Sequence, residues 1–373
     1  MALRTDVVAV PCQSGRARLG DGIQWDDRRD ELVWVDTEAQ LAYRARVRHD
    51  GLRLVCTYHL PGRPGAIVPV DGDEGWLAVL DRGVHLLRPD GSALELAEIA
   101  PRTRRLNEAA CDPRGRLWIG SIAEDRVTPI GALYRLDQNG EIELFADALT
   151  MPGGIDWSPD STAMYLADSR DQVVYSFAFD VEHGELGAPR VLLSLEGVDG
   201  TPDGLTVDGR GDIWIAMYGG YAIRRYAPDG ALVSVLPVPA AQVTSLAFGG
   251  QWLRSLYMTT ATDGWDDEER ASDPGAGLVY RVDAGTTGHP ARPFRPEPGW
   301  WAHVAPVAPA PAVGAGPGYE IVVAGGHGSM LEAALPDFEV TDTRGGRIRL
   351  VGTVVDQAAL HACLLYTSPS PRD

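Results

Sequence analysis

The chain has 373 residues, with 52 Asp and Glu against 33 Lys and Arg, a formal net charge of -19. That balance argues against nucleic acid as a partner, because counterion release needs clustered cations, and equally against an anionic membrane surface. With 45% hydrophobic residues, 43 glycines and 27 prolines, the composition is that of a foldable chain with many turns, not of a disordered one.

Met1 to Gly15 contains no apolar run long enough for the core of a signal peptide. No stretch approaches the ~20 uninterrupted apolar residues that a bilayer-spanning helix needs. Cys12, Cys56, Cys111 and Cys363 are widely spaced and include no CxxC pair, so neither a disulfide framework nor a zinc knuckle is expected. The expectation is a soluble, cytoplasmic protein.

The predicted elements repeat. An apolar strand carrying an aromatic recurs as Leu32-Val33-Trp34-Val35-Asp36, Gly75-Trp76-Leu77-Ala78-Val79 and Arg116-Leu117-Trp118-Ile119-Gly120. It returns as Met164-Tyr165-Leu166-Ala167-Asp168, Asp212-Ile213-Trp214-Ile215-Ala216 and Leu256-Tyr257-Met258-Thr259-Thr260. The aromatics at 34, 76, 118, 165, 214 and 257 are separated by 42, 42, 47, 49 and 43 positions. A period near 45, made of short strands between turns, is the signature of propeller blades of about four strands. Further strands, such as Val173 to Phe177 and Ala222 to Tyr226, lie between the repeats. Turn signals such as Pro89-Asp90-Gly91 and Pro228-Asp229-Gly230 separate them.

No amphipathic helix is evident, which rejects Rossmann and TIM-barrel architectures. The fold class expected is all-β, a six-bladed β-propeller of four-stranded antiparallel blades over residues 1–294. Val7 to Val10 would close it by joining the last blade near Leu278 to Val282, because an open blade edge exposes unpaired backbone groups. Residues 295–318, rich in Pro, Ala and Gly, read as linker. Residues 319–362 hold two or three short strands, around Glu320 to Ala324 and Arg347 to Val351, too few for an independent core. Residues 363–373 read as a non-native tail, similar to a sequencing adaptor translated in frame.

Read one at a time, the polar residues ahead of these strands have ordinary explanations. Asp21 and Asp203 stand in Asp-Gly pairs that form turns. Asn107 suits a turn cap, Arg105 follows Arg102 and Arg104 in a cationic patch, and Glu124 with Asp125 suits a charged loop. The ensemble says more. Leu19-Gly20-Asp21-Gly22, Arg105-Leu106-Asn107-Glu108, Trp118 to Glu124, Trp157-Ser158-Pro159-Asp160, Tyr165 to Ser169, Pro202 to Asp208 and Thr244 to Gly250 occur in that order. Together they resemble the SMP-30/gluconolactonase/regucalcin-like family over about residues 15 to 294.

The resemblance implies a six-bladed propeller that binds one divalent cation (calcium, zinc, manganese or iron) and opens sugar lactones. It implies a metal site formed by Asp21, the position of Gly153 and Asp203, with Asp203 also the base for the attacking water. The family has Glu at the first of these positions, and Asp offers the same hard oxygen. At the second, where the family has Asn, this chain reads Pro152-Gly153-Gly154, and glycine brings no side-chain ligand. By the same resemblance Arg105 and Asn107 hold sugar hydroxyls, and Glu124 or Asp125 gives a further acidic contact to substrate.

The chemistry suits such a site. A lactone is an activated ester, a cation can polarise its carbonyl, and a carboxylate can take the proton of water. No covalent nucleophile is needed, and the chain has no Gly-x-Ser-x-Gly elbow, no His-Glu-x-x-His pair and no phosphate-cradling glycine loop. The eight histidines are scattered and expected mostly at the surface. Two alternatives remain open at this level: a propeller that binds calcium or another ligand without catalysis, and a metal-dependent hydrolase of other esters or organophosphates.

Overall fold

Turn chemistry sets the strand boundaries. In Asp112-Pro113-Arg114-Gly115 the Asp112 carboxylate accepts from Arg114 N at 2.8 Å, and Gly115 adopts φ 86°, a region that glycine enters without strain. Similar turns divide most of the chain into short strands. A computed structural model describes residues 9–12, 15–49, 51–73, 75–304, 318–324, 338–343 and 347–353. The chain forms two compact units, Met1–Pro306 and Val307–Asp373.

In the first unit β1 (Val10–Pro11) precedes a sheet of β2 (Gly20–Asp26), β3 (Glu31–Asp36), β4 (Leu41–Arg48) and β5 (Gly51–His59). The next sheet holds β6 (Pro64–Pro69), β7 (Trp76–Leu80), β8 (Gly83–Leu87) and β9 (Ala93–Glu98). A third holds β10 (Arg104–Cys111), β11 (Leu117–Ala123), β12 (Gly131–Leu136) and β13 (Ile142–Leu149). A fourth holds β14 (Pro152–Trp157), β15 (Ala163–Asp168), β16 (Val173–Asp180), the short β17 (Glu185–Leu186) and β18 (Arg190–Ser194).

The remaining strands are β19 (Thr201–Val207), β20 (Ile213–Tyr218), β21 (Ala222–Tyr226), β22 (Leu232–Pro237), β23 (Gln242–Gly249), β24 (Ser255–Ala261) and β25 (Tyr280–Asp283). They join with β1 in one eight-stranded sheet, whose two four-strand runs are bridged by the single pair Tyr218↔Gln242. The expected count of six blades corresponds to reading that sheet as two. All pairings within the blades are antiparallel.

The ring is visible in the innermost strands. β2 touches β6, β6 touches β10, β10 touches β14, β14 touches β19, β19 touches β23, and β23 returns to β2. Glycine permits this crowding. A Cβ on Gly65 would meet Asn107 O at 2.3 Å, and one on Gly154 would meet Leu205 N at 2.3 Å. β1 adds to the outside of β25, with Val10 opposite Arg281 and Pro11 opposite Tyr280, and so gives the last blade its fourth strand. Val7 and Val8, also expected in that closure, lie outside the described residues.

The repeated aromatics Trp34, Trp76, Trp118, Tyr165, Trp214 and Tyr257 all fall on second strands and are at most 5% exposed. They fill apolar layers between the faces of neighbouring blades. One layer joins Val33, Val35, Ile67 and Trp76, and the next joins Val68, Leu77, Leu106 and Ile119. Each fully buried large side chain contributes ~1.5–3 kcal/mol. Three of the buried indole N–H groups find acid partners: Trp118 and Trp214 donate to Asp112 and Asp208 at 3.1 Å, and Trp76 donates to Asp26 at 2.9 Å.

Two short helices depart from the helix-free expectation. α1 (Asp267–Ser272) begins with a capping box between Asp266 and Glu269, a local signal that needs no apolar face. α2 (Pro298–Val304) lies within the segment expected to be linker. There Trp300 and Trp301 pack on Phe294, with ring centroids 6.2 and 6.4 Å away, and join the apolar layer of the second and third sheets. Partial burial of two indoles thus orders chain that its proline content marked as irregular. Residues 305–317 and 363–373 lie outside the described residues. In the second unit β26 (Gly318–Ala324), β27 (Phe338–Thr343) and β28 (Arg347–Thr353) form a three-stranded antiparallel sheet with β28 central. Among the described residues no helix is long and apolar enough to cross a membrane.

Candidate active site

Each innermost strand breaks register with its neighbour at a similar height. The shifts fall between Asp21 and Gln24, Pro64 and Ala66, Leu106 and Glu108, Pro152 and Gly154, Pro202 and Leu205, and Val243 and Leu246. A β-bulge turns side chains away from the regular alternation, here toward the channel that the inner strands surround. Asp21, Asn107, Gly153 and Asp203 all lie at or beside these bulges. Residues from separate blades are thereby brought to one place.

That place is a cavity of about 500 Å³, lined by Asp21, Arg105, Asn107 and Asp203 together with Arg126, Met151, Ser169, Arg170, Tyr218 and Asp263. It has the size and the mixed apolar and polar wall of a small-molecule site. Asn107 Nδ2 donates to Pro152 O at 3.0 Å, and so faces the strand that carries Gly153. Arg105 belongs to no solvated patch: it is 3% exposed, and its guanidinium has no hydrogen bond or ion pair among the described residues. Burial, then repulsion from Arg126 and Arg63, brings its guanidinium pKa down to about 10, so it stays charged at neutral pH. Neighbouring Arg104 turns away to donate to Tyr134 Oη at 2.8 Å.

The acids interact strongly. Burial raises Asp21 to about 7, opposed by its hydrogen bond from Gly22 N at 2.9 Å and by the charge of Arg105. Burial and the charge of Asp21 push Asp203 well above the carboxylate range, and its carboxylate has no hydrogen-bond partner among the described residues. Glu108 is raised in the same way, by burial and then by Asp21 and Asp203. Glu108 lines a deeper cavity of about 70 Å³. It adjoins Asn107 in the Arg-Leu-Asn-Glu segment, but sequence reading gave it no role, because a strand's register alone decides which of two adjacent polar residues turns inward.

Glu124 is placed differently. It is exposed at the end of the third sheet, where Arg63 Nη2 donates to both its oxygens at 2.9 and 3.0 Å. It does not line the 500 Å³ cavity, and Asp125 is occupied in capping the turn at Val127 and Thr128. The further acid in the cavity wall, beside Asp21 and Asp203, is instead Asp263, which accepts from Arg126 at 2.6 Å.

The donor set suits a hard divalent cation. Acids whose carboxyl pKa values are all pushed upward by burial and by one another are the electrostatic picture of a site that favours a cation. Among the described residues no group of three or more His, Cys, Asp or Glu side chains is close enough to hold an ion by itself. A cation would therefore need neutral oxygens as well, and calcium accepts these readily. Asp21 and Asp203 are the residues that would hold it.

The deeper cavity is closed from the other side by the chain around His289 to Phe294. Asp156 accepts there from Thr206 Oγ1 at 3.1 Å, Val207 N at 2.8 Å, His289 Nε2 at 3.0 Å and Arg292 Nη1 at 3.1 Å. This partly buried histidine departs from the expected surface scatter. Its acid lies between two apolar strand residues, Ile155 and Trp157, where sequence offers no sign of pairing.

Comparison with known proteins bears on this geometry. The family model described as SMP-30/gluconolactonase/LRE-like region matches residues 19–262, and one described as a domain of unknown function matches residues 318–366. The chain is 33% identical to a pentonolactonase, XacC, of Haloferax volcanii, over 77% of this chain and 96% of that one. It is 32% identical to a 6-deoxy-6-sulfogluconolactonase of Pseudomonas putida, over 70% of this chain and 90% of that one. Among solved structures it resembles a calcium-binding protein, regucalcin, of Agrobacterium tumefaciens, with TM-score 0.74 and 25% identity over 79% of this chain and all of that one. With the family model spanning most of the propeller, the chain belongs to the SMP-30/gluconolactonase/LRE-like family.

Proposed function

We propose that the axial pocket hydrolyses sugar lactones in a reaction that depends on one divalent cation. The observation that carries this reading is the meeting of Asp21, Asp203, Arg105 and Asn107 in one cavity, with an unpaired guanidinium beside unpaired acid. The lactonase names of two relatives support the substrate class.

A bound cation would supply Lewis acidity toward the lactone carbonyl and lower the pKa of water. The chain's own residues do the rest. Arg105 and Asn107 donate hydrogen bonds to the sugar's ring and hydroxyl oxygens and fix its orientation. Asp203, whose carboxylate has no hydrogen-bond partner among the described residues and would be ionised beside a cation, takes the proton of the attacking water. Asp21 balances charge beside it. Glu124 acts at the rim through Arg63, as a positioning residue. The opened product is an aldonic acid, and its new carboxylate is repelled by Asp21 and Asp203, which favours release.

The test is hydrolysis of gluconolactone and a pentonolactone by the purified full chain, followed by proton release above the spontaneous rate. Acceleration that disappears with chelator and returns with calcium, zinc or manganese is expected. No acceleration with any of these lactones and cations would refute the proposal. A cation bound without turnover would instead favour a binding propeller.

A further inference from the structure

We propose that Ser169 supplies, through its Oγ, the cation ligand that an amide would supply at position 153. Gly153 is then one half of an exchange, not a lost ligand. The inference rests on the reading of the pocket as a cation-dependent lactonase.

Ser169 follows β15 directly and is 6% exposed. Its hydroxyl is enclosed and has no hydrogen-bond partner among the described residues. A buried hydroxyl is almost always satisfied, so an unsatisfied one beside a polar cavity calls for an occupant. The residue itself is firmly held. Ser169 N donates to Met151 O at 2.9 Å, and preceding Asp168 accepts from Thr150 N and Met151 N at 2.7 Å each. The hydroxyl is therefore preorganised.

The space at Gly153 links this hydroxyl to the acid. A Cβ on Gly153 would stand 2.6 Å from Asp203 Oδ1 and 2.7 Å from Ser169 Oγ. Both distances are far inside contact, so any side chain at 153 is excluded while those two oxygens keep their positions. The hydroxyl and the carboxylate thus face one small volume that glycine leaves open, on the wall of the pocket that also holds Asp21. A hard cation takes neutral oxygens alongside carboxylates, and a serine in that place adds an oxygen without adding to the repulsion among the acids.

The test is calorimetric titration of the chelator-treated full chain with Ca²⁺ and with Cd²⁺, for wild type, Ser169→Ala and Ser169→Cys. Ser169→Ala is expected to weaken Ca²⁺ binding about tenfold or more. Ser169→Cys is expected to weaken Ca²⁺ and strengthen Cd²⁺, since a thiolate prefers the softer ion. Equal Ca²⁺ affinity in wild type and Ser169→Ala would overturn the assignment. So would a parallel loss of both ions in Ser169→Cys, which would make the residue a support for Asp203 and not a ligand. Lack of binding by wild type would overturn this assignment and the cation-dependent reading together, whereas a failure confined to Ser169 leaves that reading intact.

Discussion

Arg63 Nη2 grips both oxygens of Glu124 at 2.9 and 3.0 Å while Arg63 Nε donates to Asp81 at 3.0 Å, which ties the loop before β6 to the end of β11. Glu124 is thereby committed at the rim, in a pair exposed enough for solvent to weaken it. Glu124→Gln should therefore change kcat/KM by less than about fivefold, with the effect in KM. Arg105→Ala should contrast with it. That guanidinium is buried, charged and unpaired, so its loss should lower kcat/KM about 100-fold, and Arg105→Lys should recover little because an ammonium lacks the planar fork. Steady-state kinetics on the same lactone decides both.

Asp203→Asn should separate activity from stability. The carboxylate is the proposed base, so kcat should fall about 1000-fold or more. Its pKa is raised by burial and then by Asp21, so in the folded protein its ionised form is disfavoured relative to the unfolded chain. The sign follows: this acid lowers stability as pH rises above the ordinary carboxylate range. At pH 7 without cation the amide should raise Tm, by roughly 2–4 °C for each kcal/mol relieved. A variant both inactive and less stable would contradict that electrostatic account.

Cation binding should act in the opposite sense on the wild type. An ion that binds only the folded chain stabilises it by ~2.7 kcal/mol at a concentration 100 times its Kd. Thermal melts with Ca²⁺ should therefore move upward in wild type, and much less in Asp203→Asn. Chelated wild type and chelated Asp203→Asn should differ least in activity, because both lack a complete site.

The propeller was legible because its signal is carried by composition and spacing. Trp34, Trp76, Trp118, Tyr165, Trp214 and Tyr257 mark second strands that must be apolar on both faces, and turns punctuate them. Asp21, Arg105, Asn107 and Asp203 could be named by resemblance, and the pocket gathers them. The device that gathers them could not be read. A bulge shifts register by one or two residues and has no composition of its own, so inward-turned Glu108 looked like any strand acid. Ser169 lay within a recognised segment, yet its meaning depends on what Gly153 omits from another strand. Nothing in the sequence warns against an Asn at 153, whereas the space there is already shared by two oxygens. α2 was hidden because Trp300 and Trp301 gain their partner Phe294 only in three dimensions.

The clasp beneath the channel makes a prediction about pH. Burial works against charge on both partners, yet mutual attraction prevails: His289 and Arg292 bring Asp156 below the usual carboxylate range, and Asp156 raises His289. The histidine's contribution to stability is thus complete below its ordinary pKa of ~6.5 and is lost as pH rises through the elevated folded value. The acid's contribution is complete above ~3.9 and is lost only in stronger acid. Between those limits both groups are charged and the segment from His289 to Phe294 is held most firmly. His289→Gln should cost about 1.5–3 kcal/mol near pH 6, the worth of a hydrogen bond to a charged group. The deficit should shrink as pH rises above the histidine's folded pKa, where the wild type gives up the same interaction. Urea midpoints between pH 5 and 9 at constant m measure this. A deficit independent of pH would mean that the imidazole serves only as packing against the ring.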